Sequence, residues 1–524
     1  MSAEQDPFDR SRACFAQLVG WLEGSEAAAS SHAELEDELD RRGRELLRQM
    51  VQGQLELRAL RERRADEVKD ADDVRHGAVE TGHTRPLTTI FGVVSVTRLA
   101  YRRRGHANLD PGDGRLNLPP EQHSHGLRRL AAVEGSRGSF EEATAAIART
   151  TGQQLGKRQV ETLAARAAID VEDFYATRRP PPGGHDDAHD DAHDDVHDDV
   201  HDDVLVISAD GKGIVMRPEA LRPQTARKAQ AATTKLKTRL SKGEKRNRKR
   251  LAEVGAVYDL APVPRHATDV MGGEKTGQKT GRPPAAAPAA PTKAPVATNK
   301  WVTASVVDDA AQVLRDVFDE AERRDPTHTR TWVALVNGNN HQIDRIETEA
   351  SDRGIDVTIV VDLIHVLEYL WGAAWSFFEE ADPAAEAWVH HRALAILEGK
   401  ARQVAAGIRR RASSQGLSPT KRAKADACAR YLVNKANYLD YHTALASGWP
   451  IATGVIEGAC RHLVKDRMDI TGARWSTQGA EAVLKLRAVR TNGDFEAYWH
   501  YHLEHERARV HASRYADGVI PAAA

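Results

Sequence analysis

The chain is short of cysteine. Three occur in 524 residues, Cys14, Cys428 and Cys460, scattered and without a CxxC pair. That pattern excludes a disulfide framework and a thiolate zinc site. Long apolar runs are missing as well, and none approaches the roughly 18–20 residues of a membrane span. The first 25 residues or so lack the basic start and apolar core of a signal peptide. The expectation is a soluble intracellular protein. Hydrophobic residues at 41 %, with 38 glycines beside them, fall in the ordinary globular range. At about 150 residues per domain the length suggests roughly three domains.

Net charge is also small, at −2, but it hides a division. His185 to Val204 is five tandem copies of His-Asp-Asp-(Ala/Val) and holds ten aspartates, so the remainder stands at +8. The basic excess gathers in RKAQAATTKLKTRLSKGEKRNRKR, Arg227 to Arg250, with eleven Lys/Arg against Glu244. Such a run, which includes Lys245, Arg246, Arg248, Lys249 and Arg250, either neutralises nucleic-acid phosphates or forms a solvated loop. The repeat has the marks of slipped replication in a solvated tract, with no packed context to fix metal geometry.

Residues 30–70 read as one long helix in which Leu35, Leu39, Leu46, Leu47, Met50 and Val51 recur at helical spacing. It serves to pack on a core or to pair two chains. Residues 87–102 alternate as a β-hairpin turning near Gly92. Ser139 and Glu142 form a capping box for a helix with Phe140, Ala143 and Ile147 inside. Gly152 and Gly156 break it, and a second helix carries Val160, Leu163, Ala164 and Ala167. Lys157 and Arg158 open that second helix. The pair fits a helix-turn-helix-like DNA reader or a plain αα-hairpin. Pro262 to Lys300 reads as an extended linker.

The most informative pattern lies around that linker. VLVISA, 204–209, is a short strand ending in Asp210. Gly211-Lys-Gly213 is expected to turn it, Ile214–Arg217 to return, and EVGAVYDL, 253–260, to add a third strand. A helix over 309–323, the strand WVALV ending in Asn337, a helix over 340–353 and the strand DVTIVV ending in Asp362 complete a β-β-β-α-β-α-β order. The fold class expected is α/β: an RNase H-like core, a mixed five-stranded sheet with helices. Its chemistry needs three acids holding two divalent cations about 3.5–4 Å apart for in-line phosphoryl transfer. Hard oxygen donors suit Mg²⁺ or Mn²⁺. Asp210 supplies the first position, Asn337 stands at the second, and Glu457 in ATGVIEGACRHLVKDR offers the third. Arg461 and Lys465, four and eight residues on from Glu457, lie on its helical face and suit DNA phosphates.

These residues resemble the ISKra family of bacterial insertion-sequence transposases. The resemblance runs from about residue 86 to 515. It is carried by VLVISADGKGIVMRPEALR, KLKTRLSKGEKRNRKR with EVGAVYDL, TWVALVNGNNHQIDRI, VTIVVDLIHVLEYLW and GWPIATGVIEGACRHLVKDRMDITGARWS. It implies kinship with Mutator-like DDE transposases, which cut the ends of a mobile element and join them to new DNA. It also implies that Asp362-x-x-His365 is the Asp/Cys-x-x-His motif of that wider group, and that Trp475 is its aromatic after the third acid. The family carries Asp where this chain has Asn337, and the His-Asp-Asp tract is outside its pattern. The alternative is a degenerate copy that binds DNA and cuts it weakly or not at all. Neither Asp362, two strand spacings or roughly 10 Å from the Asp210 strand, nor Asp344, two helical turns on, is placed to replace the missing acid.

The implied layout is an N-terminal helical segment over 1–85, a hairpin with a DNA-binding region over 86–178, and the repeat over 179–204. The core follows over 205–365 with its 262–300 linker, then an all-α insertion over 366–447, the rest of the core over 448–515 and a tail over 516–524. Partners implied are double-stranded DNA (terminal inverted repeats and target) and a second copy of the chain, in a bacterial cytoplasm at the nucleoid.

Overall fold

The computed structural model describes residues 6–178, 203–231, 244, 248–272, 292–470 and 472–522. It is mixed α/β and divides into two compact units, 1–177 with 478–524, and 178–477. Among the described residues no helix is long and apolar enough to cross a membrane.

In the first unit the long N-terminal helix runs His32–Arg61 and starts on a capping box of Ser31 and Glu34. It stops nine residues short of the expected end, with Leu47 and Met50 exposed. The hairpin is longer than expected: β1 (Ala78–Thr89) pairs antiparallel with β2 (Gly92–Arg102), closing at Thr89 opposite Gly92. The helices Phe140–Thr151 and Lys157–Arg166 follow, the first capped by the Ser139–Glu142 box. Ala143, Ile147, Val160 and Leu163 pack together with Leu127 and Ala131. The expected layout joins 448–515 to the core. Instead the chain past Thr477 belongs to this unit, because Ala482, Leu486, Val489, Phe495, Tyr498 and Trp499 bury against Ala164, Ala167, Val171 and Phe174.

The second unit is built on a five-stranded sheet. Its strands are β3 (Val204–Val215), β4 (Lys249–Leu260), β5 (Ala297–Ser305), β6 (Trp332–Val336) and β7 (Val357–Val361), in the order β5-β4-β3-β6-β7. The first three are antiparallel, and β3, β6 and β7 are parallel. Two corrections follow. The expected turn at Gly211–Gly213 is absent: β3 runs straight through, paired without a break from Val204–Leu260 to Val215–Lys249. A Cβ on Gly211 would meet the Leu251 side chain at 2.8 Å, and one on Gly213 the Lys249 side chain at 2.8 Å. These glycines make room for long cross-strand neighbours. The third antiparallel strand is instead β5, whose first four residues fall inside the stretch expected to be linker. Residues 273–291 of that linker, and nearly all of the His-Asp-Asp repeat, lie outside the described residues.

Helix Ala310–Arg324 crosses over between β5 and β6, burying Val313, Leu314, Val317, Phe318 and Ala321. Helix Asn340–Arg353 makes the crossover that parallel neighbours β6 and β7 require. β6 is buried along its whole length, as an inner parallel strand must be. Beyond β7 come helices Leu363–Ala374, Pro383–Leu397, Ala401–Ser414 and Pro419–Asn434. The short helix Gly454–Ala459 then packs against β3 and β4.

Candidate active site

Parallel pairing brings Ser208 level with Leu335, so two residues further on Asp210 and Asn337 stand side by side. Asn337 Nδ2 donates to Asp210 Oδ1 at 3.1 Å. The other end of the amide is taken locally, since Asn339 N–H donates to Asn337 Oδ1 at 3.0 Å. Gly338 holds this turn with a φ of +85°, and a side chain there would run into the Tyr431 hydroxyl. Both Asp210 and Asn337 are half-buried.

The Gly454–Ala459 helix runs on into a π-helical stretch, Cys460–Lys465, packed on β3. Wider turns of this kind are frequent at functional sites. The buried Cys460 thiol lies 3.7 Å from Asp210 Oδ2. Burial, and then the Asp210 charge, push that thiol well above the ordinary range, with Glu457 adding to the effect. The thiol is therefore a proton-bearing neighbour of Asp210, not a nucleophile. Glu457, Arg461 and Lys465 are all exposed, and Arg461 lies 3.7 Å from Asp466. The π-helical winding replaces the regular i+4 face expected for the two cations.

A cavity of about 500 Å³ opens beside Asp210 and Asn337. Its wall carries two carboxylates that the sequence alone does not single out, Glu253 and Asp309, together with Arg222, Arg345, His341 and Gln342. Glu253 on β4 is opposite Gly211. Burial, and then the neighbouring Asp210 charge, raise its pKa above the usual glutamate value. Asp309 instead caps its helix through Ala311 and Gln312 N–H and sits below the usual aspartate value for that reason. Gln342 Nε2 donates to the Ala209 carbonyl and braces the end of β3.

The accessory residues have structural work of their own. Asp362 is fully buried and caps the Leu363–Ala374 helix through Ile364 N–H at 3.2 Å. The same oxygen accepts Thr453 N–H at 3.2 Å, and the other lies 2.8 Å from His365 Nδ1. It thereby ties the end of β7 to the segment that launches the Glu457 helix. Trp475 is buried, donates Nε1–H to the Met468 carbonyl at 3.0 Å and extends the far end of β3 through its backbone bonds with Val215 and Arg217. Arg467 stacks over its ring at 4.7 Å. Asp344 is exposed on its helix.

Of the cationic residues, Lys157 and Arg158 are exposed at the start of their helix, and Lys157 pairs with Glu141 at 2.8 Å. Lys245 and Arg246 lie outside the described residues. Lys249 and Arg250 open β4 opposite Val215 and Ile214, directly after Arg248. Searches against protein-family models and against curated proteins find no match to this chain.

Proposed function

We propose that this chain is a DDE-type transposase of an insertion sequence. In this reading the second unit is an RNase H-like core with an all-α insertion over 366–447. The protein binds terminal inverted repeats and, with Mg²⁺ or Mn²⁺, cleaves DNA strands and transfers them to a target duplex. One observation carries the reading: Asp210 on the central strand and Asn337 at the end of its parallel neighbour meet side chain to side chain, beside the helix that bears Glu457. Phosphoryl transfer by metal ions needs its ligands gathered at one place, and this pairing gathers the first two positions there.

Asp210 and Glu457 are hard anionic donors suited to such ions. Asn337 is not, because its Oδ1 accepts from Asn339 and its Nδ2 faces the carboxylate a cation would share. The donor set is one charge short of a metal pair. That bond favours the second reading, a degenerate copy that grips element ends and cuts them weakly. Two ends must be joined, so the active form in the first reading is at least a dimer, working on DNA at the nucleoid. The experiment is strand cleavage of an oligonucleotide carrying the element end, with Mg²⁺ or Mn²⁺. Metal-dependent nicking at the end supports the first reading. Specific binding without nicking supports the second, and neither binding nor nicking sinks both.

A further inference from the structure

The first unit contains a cluster that strand cleavage does not use. Asp70 sits in the turn before the hairpin, His76 two residues ahead of β1, and His106 four residues beyond β2. Asp70 Oδ2 lies 3.1 Å from His76 Nε2 and 2.9 Å from His106 Nδ1. All three ligand atoms fall within 4.8 Å of one another. The other carboxylate oxygen accepts the N–H groups of Asp72 and Val74, both at 3.0 Å, which fixes the direction of Oδ2.

His76 is the anchor of the cluster. Its side chain is 0 % exposed, and Nδ1 faces the Tyr101 carbonyl oxygen at 3.3 Å. Nε2 is thereby aimed at the Asp70 carboxylate, where a divalent cation would take the place of a shared proton. An imidazole whose outer nitrogen is fixed by a backbone carbonyl is also the usual arrangement of a metal-bound histidine.

We infer that Asp70, His76 and His106 form a binding site for a zinc-type divalent ion that staples the open end of the β1–β2 hairpin. Bonds of about 2.0–2.2 Å in tetrahedral geometry put ligand atoms about 3.3–3.4 Å apart. The two separations from Asp70 Oδ2 to the histidine nitrogens therefore need to open by only a few tenths of an ångström. Two imidazoles and one carboxylate leave a fourth position for water, and this mixed donor set suits zinc better than magnesium. The site lies at the end where β1 and β2 part, beyond the Ala78–Arg102 pair. A two-stranded hairpin is marginal by itself, so a cross-link there has a physical role. The ion would join three segments: the Asp70 turn, the lead into β1 and the loop after β2.

The test uses the full chain with the repeat histidines removed (His185→Ala, His189→Ala, His193→Ala, His197→Ala and His201→Ala), so that the tract does not compete. After loading with Zn²⁺ and dialysis, elemental analysis should find one zinc per chain. Co²⁺ should give the intense visible bands of a four-coordinate site. His106 is partly exposed, so His106→Ala should keep its circular dichroism while losing at least about 100-fold in zinc affinity. Asp210→Ala should retain the metal, which separates this site from the candidate active site. A parent that retains no zinc overturns the proposal and leaves a His76–Asp70 ion pair in its place. Equal retention by His106→Ala overturns it as well.

Discussion

Asp210 and Asp362 both follow buried runs of parallel strand, two strands apart in one sheet, and their surroundings are opposite. Asp362 is sealed from solvent, one oxygen held by two backbone N–H groups and the other by His365. Asp210 is half-buried on the wall of a 500 Å³ cavity, bordered by an amide, a thiol and Glu253. Backbone donors cannot leave without breaking a helix start. Side-chain neighbours can turn away. An aspartate held by the first kind organises the chain, and one bordered by the second kind is free to meet a ligand.

Substitution at the two positions should split stability from activity, and this is the largest effect expected. Asp362→Ala removes a helix cap and leaves the buried Thr453 N–H without an acceptor, a loss of about 3 kcal/mol in urea unfolding. Asp210→Ala should change stability by less than about 1 kcal/mol, because Asp210 is itself half-buried and its partners are a half-buried amide and a weakly hydrogen-bonding thiol. On the proposed function it should nonetheless abolish metal-dependent cleavage of element ends. If Asp362→Ala folds normally and Asp210→Ala does not, the distinction between the two aspartates fails.

Asn337 sharpens the comparison, being the neighbour that most directly determines what Asp210 can bind. Asn337→Asp restores an anion at nearly unchanged shape. Mn²⁺-supported cleavage should rise at least about tenfold, equivalent to about 1.4 kcal/mol off the barrier, and Asp210→Ala should cancel the gain. Robust cleavage by the natural chain with no gain from Asn337→Asp would place the second carboxylate of the proposed site elsewhere, with Glu253 the first to examine.

Binding should be separable from both. Charge reversal at Arg246, Arg248, Lys249 and Arg250 is expected to flatten the dependence of log K on log salt by about 0.9 for each phosphate that is no longer neutralised. An unchanged slope, measured by fluorescence anisotropy on a random duplex, would make the run an ordinary solvated segment.

Which parts of this were legible in the sequence follows from local chemistry. β6 and β7 and the helices over 310–324 and 340–353 were readable because buried parallel strands are continuous apolar runs and the helices keep a 3.6-residue period. The length of β3 was hidden by Gly211 and Gly213. In isolation they signal a turn, but here they make room for Leu251 and Lys249 on the partner strand. β5 was hidden because it emerges directly from a Pro/Ala-rich stretch. At the site, Asp210 and Asn337 were visible as residues ending strands. Glu253 was not, since its place beside Asp210 depends on a cross-strand register that only the unbroken β3–β4 pairing fixes. Cys460 had a signal: it is three residues after Glu457 on a helical segment, where side chains are neighbours.

The smallest effect, that of the shorter of two deletions, concerns the other end of β3, where the repeat meets the sheet. The repeat ends in Asp203-Val204, and those two residues have contacts of their own in the sheet. Val204 is the first residue of β3, 2 % exposed and paired with Leu260, and the Asp203 carbonyl accepts from Arg330 Nε at 3.1 Å. On the sequence reading of a solvated tract, deleting 185–202 should leave unfolding within about 0.5 kcal/mol of the parent. Extending the deletion through 204 brings Gly184 against Leu205, and the strand loses a buried valine, a cost of about 1.5–3 kcal/mol. If both deletions behave alike, β3 begins later than Val204. If the shorter one is already destabilising, the repeat carries weight in the fold, and its aspartates belong with Asp362 rather than with solvent.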